Sequence, residues 1–118
     1  MHRVFVYGTL KRGFCRHDAL QQQAFLGLAR TEANYKLFDL GEYPGLIVAE
    51  DGISIEGELY CVDDDCLAKL DQVEGVDEGY YSRESVMLQP PWNDEATLTY
   101  IYRKPIAGHS EIPQWPSK

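Results

Sequence analysis

Two places in this chain bring together residue types that can do chemistry: Glu74, and the stretch Tyr7-Gly8-Thr9-Leu10. Glu74 closes a segment with one apolar face. The run Asp63-Asp64-Asp65 suits a helix N-terminus through capping and the macrodipole, and Gly75 is a natural stop, so the spacing predicts a helix between them. At about 100° per residue, Val62, Val73, Cys66, Leu70 and Leu67 fall along one apolar arc, with Glu74 between Leu70 and Leu67. A carboxylate on that face is disfavoured as an anion twice over, by apolar surroundings and by the negative end of the helix dipole, and its pKa should rise. Those conditions suit a group that accepts and returns a proton near neutral pH. The alternative is a helix that frays before Glu74 and leaves the side chain in water. Asp71, Asp77 and Glu78 are the rival carboxylates, and Glu78 is the best of them because it precedes a tyrosine pair.

The second place follows a short apolar run. Val4 to Tyr7 are four β-prone residues in a row and read as a buried strand, which Gly8 lets the backbone leave sharply. Such a turn presents bare N–H groups, and with Lys11 and Arg12 behind them it makes a cradle for a carboxylate or phosphate. It serves equally well as a plain strand end. Gly8 and Gly13 are five apart as in a P-loop, but Phe14 and Cys15 stand where its lysine and hydroxyl residue belong. Cys15 with His17 suggests a thiol nucleophile, and Cys61 and Cys66 with His109 suggest a metal. Neither spacing fits a known signature, and Cys61 and Cys66 fit better as small core residues. No metal site is expected from these spacings.

The elements that must position these groups can be read in outline. With 118 residues, 44% of them hydrophobic and 25% charged, the chain suits a single domain with one core. Its net charge of −8 disfavours general affinity for nucleic acid or anionic membranes. No run reaches the length of a membrane span or a signal peptide, so a cytoplasmic protein with free thiols is expected. Asp18 caps a predicted short helix within 15–23. Residues 31–40 and 46–49 read as strands around the turn Gly41-Glu42-Tyr43-Pro44-Gly45, and 53–62 as an alternating strand. Strands are predicted again over 80–88, ended by Pro90-Pro91, and over 96–102, where Tyr100 and Tyr102 share a face. From Pro105 to residue 118 an irregular tail is expected, with Trp115 pinning it to the body.

Five short blocks taken in order resemble the gamma-glutamylcyclotransferase-like (AIG2-like) family: Val4-Phe5-Val6-Tyr7-Gly8-Thr9-Leu10, Tyr43-Pro44-Gly45, Leu70-Asp71-Gln72-Val73-Glu74-Gly75, Tyr81-Ser82-Arg83 and Thr99-Tyr100-Ile101-Tyr102. The resemblance spans residues 3 to about 105, and the small size is similar to the gamma-glutamylaminecyclotransferase branch. It implies an α+β fold, a small mixed β-barrel with flanking short helices. It also implies a cofactor-free enzyme that cyclises a γ-glutamyl amine or amide to 5-oxoproline and releases the amine. By the same resemblance Tyr7, Gly8, Thr9 and Leu10 would bind substrate, Glu74 would be the proton acceptor, and Tyr81 and Tyr100 would line the pocket. Val73 stands where many relatives have an aromatic residue, and the segment 75–79 is acidic, so the leaving-group side should differ and Glu78 rivals Glu74 for the catalytic place. A small-molecule γ-glutamyl substrate and a monomer or weak dimer are expected. The competing function is a non-catalytic module that binds a small metabolite or a partner on the same fold.

Overall fold

The computed structural model describes residues 1–116. The strands in chain order are β1 (His2–Val6), β2 (Ala24–Arg30), β3 (Tyr35–Asp39), β4 (Pro44–Val48), β5 (Glu56–Val62), β6 (Tyr81–Ser85), β7 (Leu98–Tyr102) and β8 (Ser110–Ile112). One α-helix, α1 (Asp64–Val73), connects β5 to β6, and single 3-10 turns form at His17–Leu20 and Trp92–Asp94. Five strands make a mixed sheet in the order β2-β5-β1-β7-β6, in which β1 and β7 run parallel, and β4-β3-β8 form a second, antiparallel sheet.

β1 lies in the middle of the larger sheet and is covered on both faces, which is why its sequence shows no polar alternation. Val4 and Val6 pack with Leu67 and Leu70 of α1, while Phe5 faces Leu37 and Leu46 of the smaller sheet. Two cores result, one between the sheets and one beneath the helix. β5 is also buried on both sides: Leu59 joins the first core, and Tyr60 and Val62 join the second. Glu58, two residues before Tyr60 and so on the same face, is 8% exposed. It is buried because it is paired, accepting hydrogen bonds from the Arg12 N–H at 3.0 Å and the Tyr60 hydroxyl at 2.9 Å.

The α+β class holds, and the expected barrel is corrected to two sheets that do not close. Among the described residues the remaining edges meet in isolated bridges, Thr31–Leu88 and Tyr35–Ile53. Past Leu88 the chain reaches Pro90 and Pro91, which have no N–H with which to extend a ladder. The predicted helix within 15–23 is a single 3-10 turn, and no side-chain cap from Asp18 holds it. That segment is too short to offset the cost of helix nucleation.

β2 escaped the sequence reading because it is a largely exposed edge strand, broken by a register shift between Phe25 and Gly27, and so shows no alternation. The stretch expected to be an irregular tail contributes β8, whose buried Ile112 pairs with Leu37 of β3. Trp115 packs against the inter-sheet core as expected, and residues 117–118 of that tail lie outside the described residues.

Candidate active site

Helix α1 begins as its sequence requires. Asp63 accepts the Cys66 N–H at 2.7 Å, and Cys66, Leu67 and Leu70 turn inward. It stops at Gly75, which adopts φ +66°, a left-handed conformation that glycine reaches without strain. Glu74 is thereby fixed as the cap just past the last helical residue, Val73, its N–H donating to the Leu70 carbonyl at 2.9 Å. Its side chain is 14% exposed. Burial pushes its carboxyl up to about 7, against the pull of the Arg16 guanidinium 3.8 Å away.

At the end of β1 the chain turns tightly, with the Lys11 N–H donating to the Gly8 carbonyl at 3.0 Å and the Arg16 N–H to the Thr9 carbonyl at 2.9 Å. Gly8 is needed here for space rather than for a left-handed backbone. A Cβ on it would lie 2.6 Å from Cγ of Pro44. Among the described residues, no acceptor takes the N–H of Gly8, Thr9 or Leu10. These donors stand where the sequence suggested an anion cradle.

The fold brings both places to one chamber. Tyr7, Gly8, Thr9 and Leu10 line it together with Glu74, Tyr81 and Tyr100, and Tyr43 and Pro44 complete the wall. The enclosed space is small, about 10 Å³, room for roughly one water. Tyr43, Glu74 and Tyr81 form a neck shared with a wider outer cleft of about 310 Å³, on which Arg16, Gln72, Glu78 and Tyr80 also border.

The tyrosine hydroxyls are committed to the protein. That of Tyr7 donates to the Tyr100 carbonyl at 2.7 Å and accepts the Leu46 N–H at 3.3 Å, and that of Tyr81 donates to the Pro44 carbonyl at 2.7 Å. Tyr100 donates to Asp71 at 2.7 Å, and Asp71 is held in turn by Arg83 at 2.8 Å. Burial raises all three phenol pKa values, so these rings are neutral, fixed walls.

None of the rival carboxylates lines the chamber. Glu78 is exposed on the cleft, Asp77 is exposed, and Asp71 is occupied by Tyr100 and Arg83. The basic pair behind the loop does not reach the chamber. Lys11 donates to the Trp115 carbonyl, and Arg12 stacks 4.1 Å over the Phe25 ring beside Glu58. The cation at the neck is Arg16, which sequence spacing did not single out. Pro44 and Tyr43 were visible in a motif but had no assigned place. Cys15 is exposed and does not line the chamber.

The gamma-glutamyl cyclotransferase, AIG2-like family model matches residues 4–116, further than the motifs alone reached. The chain belongs to this family. A Vibrio cholerae protein provisionally named a gamma-glutamylcyclotransferase is 41% identical over 111 residues, covering 94% of this chain and 90% of that one. Among solved structures, an AIG2-like protein from Mus musculus superposes with a TM-score of 0.76 at 30% identity, covering 86% of this chain and 76% of its own. The solution structure of ytfP from Escherichia coli gives 0.72 at 31% identity over 97% and 96%. This member of the AIG2-like family is a gamma-glutamylcyclotransferase-class protein, and its chamber lies within the matched region.

Proposed function

We propose that the protein cyclises a γ-glutamyl amine or amide to 5-oxoproline and releases the amine, with Glu74 as general acid and base. The observation that carries this reading is the position of one buried carboxyl, with a pKa of about 7, in the same small chamber as the free N–H groups after β1. The loop donors hold the α-carboxylate end of the substrate, so that the glutamyl chain folds back and its α-amine meets its own γ-carbonyl.

The amine nitrogen bonds to the γ-carbon while Glu74 takes its proton. The amide C–N bond then breaks, and Glu74 returns the proton to the departing nitrogen. Atoms and charge balance without a cofactor. Tyr81 and Tyr100 act as pocket walls. The enclosed space takes a water rather than a glutamyl group, so on this reading substrate parts the neck at Tyr43, which is half-buried. The same reading has one domain acting on a small molecule in the cytoplasm, as a monomer or weak dimer, without nucleic acid or membrane.

The test is 5-oxoproline release from a panel of γ-glutamyl amines and dipeptides. Glu74→Gln should bind substrate and lose turnover by about 10²-fold or more. Turnover near that of the unaltered protein would remove Glu74 from the role. Binding without turnover in the unaltered protein would support the non-catalytic module.

A further inference from the structure

Arg16 is the one charged side chain that faces Glu74 from outside its helix among the described residues that line the chamber and cleft, Glu78 apart. Its Nη1 donates to the Val73 carbonyl at 3.3 Å and lies 3.8 Å from Oε2 of Glu74, and its guanidinium sits 5.5 Å over the Tyr43 ring. Three anchors therefore hold it at the neck: a helix-end carbonyl, an aromatic face and the carboxylate. From the residue after β1 and from β6 and β7 the groups facing Glu74 are the phenols of Tyr7, Tyr81 and Tyr100, and its own helix adds Asp71, already paired with Arg83. None of these offers a positive charge directly to Glu74.

We infer that Arg16 is a positioning residue for the acid–base step, its cation anchored at the neck so as to hold the Glu74 carboxyl there and favour its charged form. Without a cation, a carboxyl this buried would stay protonated and could not accept the amine's proton. With a fully exposed ion pair it would stay ionised and could not return one. Arg16 is 37% exposed and meets Glu74 as a charge contact at 3.8 Å, beyond hydrogen-bond range, which leaves the carboxyl between those extremes. The inference rests on the reading of Glu74 as the acid–base group.

The experiment compares Arg16→Met and Arg16→Lys with the unaltered protein in two measurements. Methionine keeps the unbranched apolar stem and the backbone N–H that bonds the Thr9 carbonyl but removes the charge, and lysine keeps the charge. In the pH profile of kcat/KM, Arg16→Met should lose about three- to tenfold at pH 6, with the loss shrinking towards pH 9. Arg16→Lys should restore most of it. In parallel, NMR titration of the Glu74 carboxyl carbon should move to higher pH in Arg16→Met whether or not the protein turns over substrate.

An unmoved Glu74 titration overturns the proposal. So does a loss in Arg16→Met that is equal at all pH values. A moved titration in a protein whose Glu74→Gln variant still turns over would support the Arg16 contact and sink the reading of Glu74 instead.

Discussion

Glu74→Gln should make the protein more stable above neutral pH while removing its proposed chemistry, and the size of the gain follows from the site. The carboxyl titrates at about 7 in the folded protein against an ordinary value of 4.5, because burial disfavours its charge more than Arg16 favours it. Between those two values the folded chain holds a proton that the unfolded chain has already lost. Stability from this group is therefore full below pH 4.5 and falls as pH rises through 7. A displacement of that size costs about 3 kcal/mol at high pH. The side chain is 14% exposed, so little of this is screened.

Glutamine cannot ionise and escapes the cost. Chemical denaturation of both proteins from pH 5 to pH 8 should show the stability difference growing in favour of Glu74→Gln by about 2–3 kcal/mol, or roughly 10 °C in Tm for a chain of this length. Other carboxylates titrate in both proteins and cancel in the difference. A difference that stays flat within about 0.5 kcal/mol across that range would refute the burial of an ionisable Glu74. The chamber would then lose the feature that sets it apart from a packed core.

Two further outcomes follow from the same geometry. Gly8→Ala places a methyl group 2.6 Å from the Pro44 ring, and neither partner can move without shifting backbone, so thermal unfolding should show a loss of about 1–3 kcal/mol, with weaker substrate binding. Alkylation of the exposed Cys15 should leave 5-oxoproline formation unchanged, because the proposed reaction has no thiol step. Loss of turnover on alkylation would favour the Cys15–His17 nucleophile that the sequence also allowed.

Some of the fold was legible because local pattern and tertiary environment agree. The acidic cap at Asp63, the apolar arc through Leu67 and Leu70 and the stop at Gly75 all act within one helix, so α1 could be read from its own residues. Its face then carried Glu74 inward. β1 and β7 were readable for a similar reason, since their β-prone runs are short and end at turn residues. β2 and β8 were not, because each is an edge strand whose identity comes from the neighbour it pairs with.

The sequence by itself determined that Glu74 falls on the apolar arc of a helix and that the first strand ends at Gly8, because both are matters of spacing along one element; that the carboxyl stays out of water and that the loop donors stay unpaired was decided by the fold. Which charges accompany them was decided only by tertiary structure. Lys11 and Arg12, next to the loop in sequence, turn away to Trp115 and to Glu58 and Phe25, while Arg16 meets Glu74 across 58 positions of chain. A short side chain's direction follows its element, but a long cation goes where packing offers it an acceptor and a ring, and that is settled only when distant segments meet.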